Sequence, residues 1–198
     1  MEFWESMSTN KEKILEAASA LFLSGGSAAL SVRAIAKSAG VSTIGIYSHF
    51  AGKQGILDAL YIEGFEAVDR AMSVSDRGLS PIDAVLCAAS NYLELAVSRR
   101  AHYNLIFGEG YASHIPGPEA RLAGSLAFNN NVALCGNLLP AGTSRQAQQI
   151  AAMQIWSLLH GAVALENHAV SEIVDMTGWR ERILDTVRIV AEGMAIAH

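Results

Sequence analysis

The chain has 198 residues, 51% of them hydrophobic and 17% charged, with a formal net charge of −5; that is enough apolar material for a core and too apolar a balance for a disordered chain. No apolar run reaches the roughly 18 uncharged residues of a membrane span, because Gln154, Ser157 and His160 interrupt the richest stretch, 150–165. The opening MEFWESMSTNKEK is acidic where a secretory leader is basic, and Cys87 and Cys135 follow no metal or redox spacing, so a cytoplasmic protein with two reduced thiols and no membrane association is expected.

Strand signals are scarce and the apolar spacing is helical throughout. Residues 1–7, which end at a second methionine, are read as a disordered extension. Ile14, Ala17, Ala18, Leu21 and Phe22 then fall at i, i+3, i+4, i+7 and i+8 and predict a helix stopped by Ser24, Gly25 and Gly26. A short helix follows over 31–39 with Ser31 as N-cap, and a third runs from Ser42, another N-cap, to about Phe50. From Lys53 a longer helix carries Ile56, Leu57, Leu60, Tyr61 and Phe65. Beyond the break DRGLSP at 76–81, helices are predicted over 81–99, 101–107, 118–139, 144–170 and 178–197, separated by stretches rich in Gly, Pro and Ser. The expectation is an all-α protein of about nine helices, with a three-helix head over 8–53 and a larger helical body over 54–198.

Charge divides along the same line. Residues 8–55 hold Lys11, Lys13, Arg33, Lys37 and Lys53 against Glu12 and Glu16, a net +3, whereas 56–198 carry a net −6 and no lysine at all. A basic head on an acidic body suits a phosphate-bearing partner better than the whole-chain charge suggests.

In SVRAIAKSAGVSTIGIYSHF, residues 31–50, Gly40, Val41 and Ser42 separate two short helices. Glycine turns the chain at positive φ without steric cost and Val41 plugs the angle, the pattern of a helix-turn-helix whose second helix enters the major groove. At 100° per residue Ile46 and Phe50 share one face, assigned to the core with Leu21, Phe22 and Ile35. Ile44, Gly45 and Ser48 lie on the other, assigned to DNA. There Ile44 suits a thymine methyl and Gly45 a close approach of backbone to duplex, although by periodicity alone Ile44 fits a core position equally well. Ser42 and Thr43 offer short hydrogen-bonding groups, and Tyr47, His49 and Lys53 offer donors for phosphate oxygens. Arg33 is the one long side chain of this segment able to pair with guanine through two bonds.

KILEAASALF followed by LSVRAIAKSAGVSTIGIYSHFAGKQGILDAL, with the spacing of Ala36, Gly40, Val41, Tyr47, Phe50 and Lys53, resembles the DNA-binding domain of the tetracycline-repressor (TetR) family of bacterial transcriptional regulators. The resemblance implies a homodimer that binds double-stranded operator DNA and a small-molecule effector held in the C-terminal body. It places base-facing positions on Arg33, Thr43, Ile44 and Gly45, and phosphate contacts on Ser31, Tyr47, Ser48, His49 and Lys53. Gly45 departs from the family, many of whose members carry threonine or another side chain there; operator choice then leans on Arg33, Thr43 and DNA shape.

In the body, IAAMQIWSLLHGAVALE is apolar on most of its circumference, and Ile183, Val187, Val190 and Met194 form a helical stripe. With Met153 they are expected to form a dimer interface, a four-helix bundle about a twofold axis; the competing reading is that they fill only the chain's own core. WSLLHG at 156–161 resembles the signature of a TetR subclass with a WHG-type C-terminal domain. A pocket for an amphipathic or aromatic effector is expected among Asn91, Tyr92, His102, Tyr103, Phe107, Asn129, Trp156 and His160, each of which also fits as an ordinary helix residue. No G-x-S-x-G, P-loop, Rossmann glycines or H-E-x-x-H occurs, so no catalytic residue, metal or cofactor is expected. The expected function is a ligand-released repressor. Two other classes suit the same pattern: a ligand-binding helical protein that does not touch DNA, and a cofactor-free enzyme using a cavity in the body.

Overall fold

The computed structural model describes residues 9–74, 78–108 and 114–196, and the expected extension over 1–7 lies outside them. The described residues contain nine α-helices and no strand. Helix α1 spans Asn10–Gly25, α2 Val32–Ala39, α3 Thr43–His49, α4 Lys53–Met72 and α5 Pro81–Ser98. Helix α6 spans Arg100–Phe107, α7 Pro118–Gly136, α8 Arg145–Glu166 and α9 Trp179–Ile196. Among the described residues no helix is long and apolar enough to cross a membrane.

Local chemistry sets the ends. Thr9 and Glu12 form a reciprocal capping box: Thr9 Oγ1 accepts from the Glu12 N–H at 3.2 Å, and Glu12 Oε2 accepts from the Thr9 N–H at 2.6 Å. At the other end of α1 the chain tightens into a 3-10 turn over Gly26–Ala29, entered at Gly26 with φ 62. Two helices end earlier than their apolar periodicity predicts. Helix α7 stops at Gly136, and residues 137–139 continue as i→i+3 turns ahead of Pro140, which disfavours helical geometry in the residue before it. Helix α8 stops at Glu166: the Asn167 N–H still makes the helical bond to the Val163 carbonyl at 3.1 Å, where its side-chain amide joins it at 2.9 Å, and the next residue tightens, the His168 N–H turning to the Leu165 carbonyl at 3.2 Å. A short 3-10 turn, Ala169–Glu172, follows.

The chain forms two compact units: Met1–Phe65 with Arg99–Ala123, and Glu66–Ser98 with Gly124–His198. In the first, α1 packs against α2, α3 and α6. Its core gathers Ile14, Ala18, Phe22, Ile35, Ile46, Phe50, Ile56, Leu60 and Leu105, all buried. At roughly 1.5–3 kcal/mol for each large side chain taken out of water, this cluster is the main stabilising term of the head. Leu105 belongs to α6, so the head's core draws on a helix far along the chain. Helix α6 also lies close to α4: an added Cβ on Gly64 would sit 3.0 Å from Ile106 Cγ2, and His102 Nε2 is 3.1 Å from Glu63 Oε2. After α6, the Gly117 N–H donates to Asp58 at 2.8 Å and the buried His114 ring faces the same carboxylate at 3.1 Å.

In the second unit α5 packs on α8 and α9, and α8 on α9. Val85, Tyr92, Val132, Val163 and Val187 are its most deeply buried large side chains. This corrects one expectation. Val187 and Ala191, four residues apart on α9, are both fully buried within the chain, so Val187 is core and not an interface residue. Ile183, Val190 and Met194 are half-buried, and Ile189 points outward at 67% exposure. The spacing of the stripe is helical as expected, but α9 is rotated so that the seam on α5 and α8 runs through 187 and 191.

Candidate nucleic-acid interface

Helix α2 is started by Ser31, whose Oγ accepts the Ala34 N–H at 3.1 Å, and it buries Ile35 and Ala36. It ends at Gly40, with φ 66 and ψ 30 in the left-handed region. The Val41 N–H then reaches back to the Ala36 carbonyl at 3.0 Å, the closing bond of a glycine C-cap. A side chain at 40 would be strained there, which is why the turn needs this residue. Val41 packs half-buried against the head core, and Ser42 caps α3 by accepting the Gly45 N–H at 3.0 Å.

Helix α3 has two chemically distinct sides. Ile46 is fully buried, and Phe50, whose N–H donates to the Ile46 carbonyl at 2.8 Å, is nearly so. On the other side Ser42, Thr43, Ile44, Tyr47, Ser48 and His49 are exposed, with Ile44 at 80% and Tyr47 at 63%. The periodicity left Ile44 open between core and surface; packing places it outside. Arg33 is exposed on α2.

Several of these groups have local partners. Ser48 Oγ donates to the Gly45 carbonyl at 2.8 Å. Lys53 is half-buried and its Nζ donates to the Ser27 carbonyl at 3.0 Å, tying the start of α4 to the turn after α1. An ammonium has three donors, so two remain for other acceptors. Ser31 and Ser42 use an acceptor lone pair in their caps and keep the hydroxyl proton. The Tyr47 ring lies on the turn after α3: Gly52 has φ 78, and a Cβ added there would be 3.1 Å from Tyr47 Cε1. Lys11, absent from the sequence-derived contacts, sits over the Phe50 ring at 5.9 Å from its centroid. With Lys37, exposed on α2, it extends the basic surface of the head. The clustering of every lysine before position 54 was the signal that pointed to both.

The residues expected to line an effector pocket fall in both units. His102, Tyr103 and Phe107 belong to the first, where Phe107 packs on Phe65 and Tyr103 at centroid distances of 5.6 and 5.2 Å. Tyr92, Trp156 and His160 come together in the second. The Trp156 indole N–H donates to the buried Tyr92 hydroxyl at 3.0 Å, and the Trp156 ring lies 5.9 Å from that of His160 and 6.5 Å from that of Phe128. Burial holds the His160 imidazole below its ordinary pKa. Asn91 and Asn129 stand apart from this group: both are exposed, Asn91 donating to the Ala71 carbonyl and Asn129 accepting from Arg145.

A capped, glycine-turned helix pair with an exposed second helix on a basic head defines a helix-turn-helix DNA-binding regulator. Residues 14–60 match the family model of bacterial regulatory proteins of the tetR family, and residues 85–186 match a tetracyclin repressor-like C-terminal domain. The chain belongs to the TetR family and is a DNA-binding transcriptional regulator. The C-terminal match does not confirm the narrower WHG-type subclass. No curated protein matches the chain. Solved structures share its fold at low identity. A protein of unknown function from Rhodococcus sp. RHA1 is 22% identical with a TM-score of 0.72, over 98% of this chain and 100% of that one. The TetR family transcriptional regulator PfmR from Thermus thermophilus is 19% identical with a TM-score of 0.62, over 92% and 96%. The fatty acid degradation regulator FadR from Bacillus halodurans is 17% identical with a TM-score of 0.65, over 97% of both chains.

Proposed function

We propose that the chain is a cytoplasmic homodimeric repressor that binds a twofold-symmetric operator and is released by a small amphipathic or aromatic effector. The observation that carries this reading is the outward face of α8 and α9. Ile150, Met153, Leu158 and Val190 line an open groove there with Gln146 and Gln154 at its margin. Ile150 and Met153 are 54% and 42% exposed. None of the described residues lining the groove is charged, and a second copy of the same face covers it without burying an unpaired charge. Dimer contacts are assigned to Met153, Ile183, Val190 and Met194, with Ile150 in place of the buried Val187.

Two heads about 34–36 Å apart then address successive major grooves, which makes the operator palindromic. On each head Thr43, Ile44, Gly45 and Arg33 face bases. Ser31, Ser42, Tyr47, Ser48, His49 and the remaining donors of Lys53 face phosphates, joined by Lys11 and Lys37. The effector is assigned to the second unit, against Tyr92, Trp156 and His160, whose rings and two polar edges suit an aromatic or amphipathic molecule. A ligand that favours one spacing of the heads shifts the population away from the operator-bound state, and by linkage DNA weakens the ligand equally.

The test is sedimentation of Ile150→Glu/Met153→Glu beside the unchanged chain. The expected result is a folded monomer that has lost operator binding. A dimer that persists and still binds DNA refutes the assigned interface.

A further inference from the structure

What α3 can offer to a base pair is chemically narrow. From Ser42 to His49 it reads STIGIYSH and contains no Arg, Lys, Asn, Gln, Asp or Glu, the residue types that make the discriminating pairs with guanine, adenine or cytosine. Its two serines are assigned to phosphates, and each already spends part of its hydroxyl locally, Ser42 accepting the Gly45 N–H and Ser48 donating to the Gly45 carbonyl. The Thr43 hydroxyl serves either a donor or an acceptor on a base edge and so discriminates little.

Apart from Tyr47 and His49, which are exposed and assigned to phosphates, what remains of the outward surface is apolar. Ile44, at 80% exposure, contributes nothing to the head core, which is filled from the opposite side by Ile46 and Phe50. Gly45 beside it adds no bulk, and a Cβ there would meet nothing closer than Ser42 Oγ at 3.5 Å, so the fold itself does not demand glycine. An exposed branched hydrocarbon next to bare helix backbone complements the one apolar group displayed in the major groove, the thymine methyl.

We propose that Ile44 is a specificity-determining residue that selects A·T pairs by seating the thymine 5-methyl against its side chain, so that α3 reads sequence by methyl contact and not by paired hydrogen bonds. The inference rests on the DNA-binding reading of the head. It narrows the target to duplexes with a thymine methyl at a fixed place in each half-site.

The probe is a pool of randomised duplexes from which the full-length protein selects its preferred sequences. The selected duplex is then remade with deoxyuridine at each enriched thymine, which deletes the methyl and keeps every hydrogen-bonding group. At the free energy of one buried methylene-sized group, each methyl removed costs about fourfold in affinity, and one removed from each half of a symmetric site about fifteen-fold. In Ile44→Ala the same uridine change leaves affinity unaltered, while the thermal melt of that variant stays where it was because the lost side chain is exposed. Specific binding with no enriched thymine, or an equal uridine penalty in Ile44→Ala, overturns the inference and leaves the DNA-binding reading intact. Weak and equal binding to every duplex in the pool overturns the DNA-binding reading itself.

Discussion

Replacing Gly45 by alanine separates what the fold needs from what the operator needs, because the two effects carry opposite signs. Gly45 is the third residue of α3 and has ordinary helical geometry. In a helix glycine is about 0.8–1.0 kcal/mol less favourable than alanine. The new Cβ would contact Ser42 Oγ at 3.5 Å and Val41 Cβ at 3.9 Å, both normal van der Waals distances, so no clash offsets that gain. Gly45→Ala therefore adds up to about 1 kcal/mol of stability, which raises Tm by about 2–4 °C if the 198-residue chain melts as one unit. On the duplex the added methyl stands between helix backbone and groove, and affinity for the selected operator is expected to fall at least tenfold. Calorimetric melting and fluorescence anisotropy on the same preparation read both quantities. A lower Tm shows that the glycine serves the fold. Unchanged affinity with a raised Tm shows that the backbone does not approach the DNA closely at 45.

Gly52→Ala is expected to destabilise by about 1–2 kcal/mol, since φ 78 is in the left-handed region, and to weaken DNA binding by displacing the Tyr47 ring; the binding loss, measured by anisotropy, should vanish in a Tyr47→Ala background. Val187→Ala, in the core of the second unit, should lower stability by about 2 kcal/mol in a urea melt while sedimentation shows an unchanged oligomer. Burial pushes the Cys135 thiol up to about 12 whereas Cys87 is exposed, so a thiol reagent at pH 8 should titrate one cysteine in the native protein and both in denaturant. His160 binds its proton less readily folded than unfolded, so its neutral form stabilises the fold above its ordinary pKa of about 6.5, and that contribution is lost as pH falls through and below that value. Tm should drop on acidification in this window, and His160→Gln should flatten the drop.

The head was legible because each of its devices is local. Ser31 and Ser42 as caps, Gly40 as the turn and Ile46 with Phe50 as the inner face each act across no more than five residues, and local spacing carries that information. The contacts that tie the head together over long sequence separations were not legible. Lys53 reaches the carbonyl of Ser27 across 26 residues, and Leu105 enters the head core from α6. No periodicity in either segment encodes the pairing. The same limit explains Val187: a stripe at i, i+4, i+7 and i+11 fixes which residues share a side of α9 but not which edge of that side meets α5 and α8. Asn91 and Asn129 interrupt apolar runs and so resemble pocket residues in sequence, yet an amide in that pattern serves equally as a surface partner, as both do here, Asn91 for the Ala71 carbonyl and Asn129 for the Arg145 guanidinium.

Operator selection followed by a salt titration bears most directly on the function. The full-length protein is expected to enrich a twofold-symmetric sequence and to bind it with a Kd of about 10⁻⁸–10⁻¹¹ M, orders of magnitude tighter than an unrelated duplex. Affinity should fall linearly in log–log form as salt rises, reporting phosphates neutralised by the basic heads. Micromolar binding that is the same for every duplex, with no symmetric sequence enriched, contradicts the assignment of this head to operator recognition.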